Sequence, residues 1–151
     1  MIPYKRPESV LVVVHTRGGE VLLLERTRPR GFWQSVTGSL EWGEAPMAAA
    51  RREVFEETGV RGAGRLEALG RTVRFRIVPP WRARYAPTAR FNTEHWFRLE
   101  LPERRLIRPR AGEHRQHRWL PAPIAARRAT SWTNREAIRL VFRLPGVGAP
   151  R

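Results

Sequence analysis

The chain of 151 residues sets 29 Lys and Arg against 14 acidic residues, for a net charge of +15, with 41% apolar residues and no cysteine. That length and apolar share predict a single domain over 1–151 with its own core, and the lack of cysteine excludes disulfides, thiolate metal sites and a Cys nucleophile. No apolar run reaches the 18 residues of a membrane span, and the opening MIPYKRPESV has no apolar centre of a signal sequence, so a cytoplasmic protein is the expectation.

The charge is unevenly built. Lys5 is the only lysine, every acid is Glu, and five of the 14 glutamates (Glu41, Glu44, Glu53, Glu56, Glu57) fall in one short stretch. A basic body with one acidic spot would steer anionic substrates toward the chain and a cation into the spot. It would equally suit nucleic-acid binding. Arginines solvated all round would account for the same total.

In chain order, Ser9 to His15 (SVLVVVH) is β-branched and apolar and predicts a buried strand. Thr16 to Gly19 is a turn, and Val21 to Glu25 (VLLLE) completes a hairpin. Arg26 to Gly31 is a basic loop, and Phe32 to Val36 a short strand. A helix is expected from about Pro46, which is tolerated in a first turn, to just before Gly59, which suits a left-handed C′ position. Met47, Ala50 and Val54 give it an apolar stripe.

Arg61 to Arg65 is a Gly-rich loop. Leu66 to Val78 predicts a strand whose Val73-Arg74-Phe75-Arg76-Ile77 alternation leaves one cationic face, stopped by Pro79-Pro80. Trp81 to Arg90 is a loop or bend, Phe91 to Leu101 a strand, and Pro102 to Gly112 a basic irregular segment. Arg118 to Leu120 is a short strand, with a turn of helix near Ile124 to Arg128. Thr133 to Glu136 has the form of a capping box for a helix to about Arg143, with Ala137, Ile138, Val141 and Leu144 inward and a frayed tail after it. The pattern is a mixed sheet with two main helices, an α+β or α/β sandwich.

The chemistry concentrates between Gly38 and Val60, GSLEWGEAPMAAARREVFEETGV. Glu53, Glu56 and Glu57 stand at i, i+3 and i+4 and share one helix face. Like charges at that spacing repel, and a hard divalent cation such as Mg²⁺ offsets the repulsion while bridging to substrate phosphates. A surface helix with Glu/Arg ion pairs would use the same residue types. Glu53 and Glu57 are the first candidate ligands, with Glu56 a third ligand or a partner that orients them. Arg52 is expected to hold the carboxylates and Glu44 to fix the loop through backbone N–H groups. His15, His95, His114 and His117 do not form a zinc set, because Gly112 and the flanking arginines place the last two in a loop.

Gly38, Glu44, Arg52-Glu53-Val54, Glu56-Glu57 and Gly59-Val60 fall at the spacing of the Nudix box without departure, and the chain resembles that family. The resemblance implies an α+β fold, an α/β/α sandwich, and metal-dependent hydrolysis of a phosphoanhydride with Mg²⁺, or Mn²⁺ in its place. It implies a general base from outside the box, for which Glu113 is the candidate.

Further stretches resemble one folate-pathway branch of the family. They are Tyr4 to Pro7, Phe32 to Ser39, Arg84 to Pro87, Asn92 to Glu94 and Ser131 to Arg135. That resemblance implies release of pyrophosphate from 7,8-dihydroneopterin 3′-triphosphate. It implies metal at Glu53, Glu57 and Glu113. Substrate contacts are implied at Lys5, Arg26, Thr37, Phe75, Arg76, Ile77, Val78 and Ser131. Arg74, Arg76 and Pro79-Pro80-Trp81 depart from that branch at the ring end, as does the 104–112 segment. An oxidised nucleoside triphosphate is the alternative substrate, since pterin and guanine share an amide edge. A basic nucleic-acid-binding protein is the alternative of a different class. Nothing in the sequence speaks to oligomeric state.

Overall fold

Glu8–Thr16 (β1) carries apolar side chains on both faces, and such a strand is stable only between two covered layers. The structure is a computed structural model that describes residues 3–61, 65–79 and 81–145. In it Ser9 to Thr16 are all buried. Around β1 lie Glu20–Arg26 (β2), Trp33–Gln34 (β3), Val36–Ser39 (β4), Arg65–Arg76 (β5), Phe91–Leu101 (β6) and His114–Pro121 (β7). The sheet order is β3-β2-β1-β6-β5, with β4 also on β1 and β7 on β2.

Among the described residues, only the β1–β6 pair is parallel, in register from Glu8↔Thr93 to Thr16↔Leu101. β4 runs antiparallel along the start of β1, from Ser9↔Ser39 to Val12↔Val36. β2 meets β1 at His15↔Val21 and otherwise pairs with β7 and β3.

The helix Pro46–Thr58 (α1) covers one face of the sheet. Ala49, Ala50 and Val54 pack there with Val10, Val12, Val14, Leu22, Leu24 and Val36, and Met47 lies partly buried against them. The helices Ala122–Arg128 (α2) and Trp132–Phe142 (α3) cover the other face, over Leu11, Val13, Leu23, Trp33 and Trp96. The fold is α+β with the sheet between helical layers. Among the described residues, no helix is long and apolar enough to cross a membrane.

Several boundaries differ from the sequence-based expectation. β7 begins at His114 rather than Arg118, because backbone pairing with β2 extends to Arg26↔His114 whatever the side chains are. β5 ends at Arg76, two residues short of the expected Val78, and bulges between Ala68 and Thr72 around Gly70 at φ 68°. The cap of α3 is Ser131, whose hydroxyl accepts from Asn134 N–H at 3.3 Å, so the helix starts before the expected capping box at Thr133. Segment 102–112 is irregular as expected, but Ile107 is 5% exposed and enters the core below α1. Its backbone follows the end of α1, with Arg108 N–H to Thr58 O at 2.8 Å and Arg110 N–H to Glu56 O at 3.1 Å. Residues 62–64 of the expected Gly-rich loop Arg61 to Arg65, and the tail at 146–151, lie outside the described residues.

Candidate active site

α1 starts on Pro46 at its first position and ends on Gly59 in the left-handed conformation, φ 77°, whose N–H reaches Phe55 O. On the outer flank of this helix the charges are closed. The Arg52 guanidinium donates to Glu44 at 2.8 and 2.9 Å, to Glu53 at 2.7 Å, to Glu56 at 3.3 Å and to the Ser39 carbonyl at 3.0 Å. Glu56 uses its other oxygen on Arg110 at 3.2 Å. Glu44 accepts from Glu41 N–H at 2.9 Å, the loop-fixing role expected of it. These bonds hold the Glu44 carboxyl below the usual range, with the Arg52 hydrogen bond the main cause.

The inner side is open. Glu57 is 1% exposed, and neither carboxylate oxygen has a hydrogen-bond partner. Burial pushes its carboxyl well up, and Glu53 and Glu113 push it further. Glu53 is also raised, mainly by burial. The pair sits under β4. A Cβ on Gly38 would stand 2.1 Å from Glu53 Cδ, so only glycine leaves room for that carboxylate. An unpartnered buried carboxylate is costly. A hard cation removes the cost, so the donor set fits a divalent metal.

His114 completes the inner wall and was missed in the sequence, where its flanking glycine and arginines suggested a loop. Its Nε2 lies 3.4 Å from Glu57 Oε1 and 3.3 Å from Gln34 Nε2. Burial, with Arg26 nearby, lowers its pKa to about 4, so the ring is neutral. Glu113 is close enough to raise Glu57, but its side chain is 48% exposed and Arg110 stands 3.8 Å away. The structure therefore brings Glu53 and Glu57 together and leaves the third expected ligand beside them. Among the described residues, no group of three acidic or histidine side chains is assembled for a metal.

Cations stand close to these carboxylates. Lys5 is lowered by burial and by Arg84 and Arg26, while Glu53 and Glu113 act against this. Arg26 is lowered by burial, with Glu57 and Glu113 opposing. The Arg26 loop is anchored from below by Glu25, 4% exposed, which accepts from Gly31 N–H at 2.8 Å and Gln116 Nε2 at 2.7 Å. Sequence reading gave Glu25 only a place in a strand.

The remaining candidates lie farther along the sheet. Thr37 is half-buried on β4 beside Gly38. Phe75 is half-buried opposite Asn92, Ile77 is 7% exposed and Val78 is 47% exposed. The Arg76 guanidinium sits 5.6 Å from the Phe91 ring centroid, and Arg74 sits over the same ring at 4.2 Å. Phe91 thus partly covers the expected cationic face. Ser131 Oγ caps α3 and also accepts from Asn134 Nδ2 at 2.6 Å.

Buried carboxylates on a box helix under a glycine, faced by Lys and Arg, define a hydrolase of phosphoanhydrides, and the comparisons agree. The NUDIX domain model matches residues 5–141, and the chain belongs to the Nudix family, whose hydrolases generally use divalent cations. The chain is 47% identical over 139 residues to the Escherichia coli K12 dihydroneopterin triphosphate diphosphatase, covering 89% of this chain and 91% of that protein. It is 38% identical over 143 residues to the Haemophilus influenzae protein of the same name, covering 92% and 89%. The solved structure of the E. coli dihydroneopterin triphosphate pyrophosphohydrolase superposes with a TM-score of 0.85 at 46% identity, over 91% of this chain and 96% of that one.

Proposed function

We propose that this chain hydrolyses 7,8-dihydroneopterin 3′-triphosphate to the monophosphate and pyrophosphate, with Mg²⁺ held by Glu53 and Glu57 and joined by Glu113. The observation that carries the chemistry is Glu57, buried with both oxygens unpartnered beside a second raised carboxylate. When bound, the metal neutralises phosphate charge and activates a water. The protein supplies the rest. Arg52 fixes one oxygen of Glu53 and so sets the direction of the pair. Lys5 and Arg26 bind the phosphate chain. Neutral His114 fills the space behind Glu57 without competing as a cation.

The pterin assignment is supported by near full-length similarity to two proteins that carry that substrate in their names. Thr37, Phe75, Arg76, Ile77, Val78 and Ser131 are the proposed contacts beyond the phosphates. A small-molecule triphosphate, acted on in the cytoplasm by a single domain, completes the reading.

The test is pyrophosphate release with Mg²⁺ from dihydroneopterin triphosphate beside a panel of nucleoside triphosphates that includes oxidised guanine nucleotides. The expected result is a kcat/KM for the pterin at least about tenfold above any nucleotide, a difference of roughly 1.4 kcal/mol in transition-state binding. Faster turnover of a nucleotide would discard the pterin and keep the hydrolase.

A further inference from the structure

The segment after β5, Trp81 to Arg90, was expected to be a loop or bend, with Arg84 to Pro87 among the stretches that carry the family resemblance. In the structure Arg82–Arg84 forms a single 3-10 turn, with Arg84 N–H to Trp81 O at 3.1 Å. This turn is tied to the candidate active site at both ends. At one end Trp81 sits edge-on to Phe32, ring centroids 5.6 Å apart, with the Arg26 guanidinium 5.8 Å from its own centroid. At the other end the Arg84 carbonyl accepts Lys5 N–H at 3.0 Å.

The contacts continue on the Arg26 side. Arg26 N–H bonds Phe32 O at 2.9 Å, and Thr27 N–H bonds Glu113 O at 3.0 Å. Glu113, Arg26, Trp81, Arg84 and Lys5 are therefore linked around one rim.

Three cations on one rim repel each other. Arg84 is among the groups that lower both Lys5 and Arg26. None of the ion pairs among the described residues uses Lys5, Arg26 or Arg84. Arg52 and Arg115 close on glutamates, whereas exposed arginines such as Arg51 and Arg105 also enter none of these pairs, so it is their closeness to one another that marks Lys5, Arg26 and Arg84. A concentrated positive rim, opposed by Glu53, Glu57 and Glu113 of the site itself, suits a multiply charged anion that carries a metal between the cations and the carboxylates.

We propose that Arg84 is a third binding group for the substrate's oligophosphate, carried into line with Lys5 and Arg26 by the Trp81–Arg84 turn. This rests on the reading of the substrate as a triphosphate, and not on its being a pterin. The side chain of Arg84 is exposed and its backbone carries the Lys5 bond, so replacing the side chain leaves the fold and that bond in place.

The experiment is an equilibrium titration with inorganic tripolyphosphate and Mg²⁺, in the wild type and in Arg84→Gln, Arg84→Lys and Arg17→Gln. Arg17 lies in the exposed turn after β1 and serves as the control for net charge. Loss of one charge-assisted contact predicts about tenfold weaker binding or more for Arg84→Gln. Arg84→Lys should recover most of it, and Arg17→Gln should stay within about twofold of wild type. Equal affinities for Arg84→Gln and Arg17→Gln would overturn the proposal, as would a wild type that does not bind tripolyphosphate. A wild type that binds tripolyphosphate through Arg84 yet ignores dihydroneopterin triphosphate would correct the substrate and keep the assignment of Arg84.

Discussion

Glu56 and Glu57 are neighbours in sequence and opposites in the structure. Glu56 lies on the outer flank of α1, with one oxygen on Arg52 at 3.3 Å and the other on Arg110 at 3.2 Å. Glu57 points inward, 1% exposed, with no hydrogen-bond partner on either oxygen and only the neutral His114 ring beside it at 3.4 Å. The outer flank shows how this arginine-rich chain normally treats an acid, by closing it with a guanidinium. The inner side shows what it leaves open. Charge closed by charge stabilises a loop and a helix, whereas charge left open in a buried place is a site for something that arrives later.

The largest effect should come from the open side. Glu57→Gln keeps the shape and removes the charge. It should lower metal-dependent turnover about 10³-fold, on the order of 4 kcal/mol of transition-state stabilisation. Its thermal midpoint without metal should equal or exceed that of wild type, since an unpaired buried charge is gone. Turnover near wild type would break the contrast between the two glutamates.

Gly38→Ala tests the same side from above. The new methyl must displace the Glu53 carboxyl, which a Cβ there would approach to 2.1 Å. A loss of activity of about 10²-fold is expected, of the size seen when ligand-orienting groups are disturbed, with about 1–3 kcal/mol of destabilisation from overpacking in denaturant unfolding. An unchanged kcat would show that Glu53 need not sit there.

A smaller effect sharpens the comparison through pH. Glu57 is raised above its unfolded value of about 4.3. Its contribution to metal-free stability is therefore present below pH about 4 and lost as pH rises through the higher folded value. His114 runs the other way, because its folded pKa of about 4 lies below the unfolded value of about 6.5, and it costs stability as pH falls between them. Wild type and Glu57→Gln both carry His114, 3.4 Å from Glu57, so its opposite contribution cancels only in part in the difference between them. Wild type should lose thermal stability relative to the variant as pH rises from 4 to 8, and Mg²⁺ should restore more at pH 8 than at pH 5. A pH-independent difference would mean that Glu57 is not raised.

Much of this was legible in the sequence because short-range chemistry decides it. The box spacing, Pro46 and Gly59 specify α1, and the apolar run of β1 specifies a buried strand. Which glutamates are closed was less legible. Arg52 was expected to hold carboxylates, but Arg110 reaches Glu56 only because segment 102–112 follows the end of α1, a tertiary fact. His114 was hidden for the same reason. Its environment is set by β7 pairing with β2, residues almost a hundred positions away, while its own neighbours read as a solvated loop. Trp81 and Arg84 carried no periodic signal, and their place on the rim depends on contacts with Phe32, Arg26 and Lys5.

The most direct measurement is divalent-cation affinity, by equilibrium titration with Mg²⁺ or Mn²⁺, for wild type, Glu56→Gln and Glu57→Gln. Glu57→Gln should bind at least about tenfold more weakly, the loss expected when a ligand is removed, and Glu56→Gln should stay within about threefold of wild type. Equal losses for the two variants would contradict the division of α1 into a closed flank and an open site.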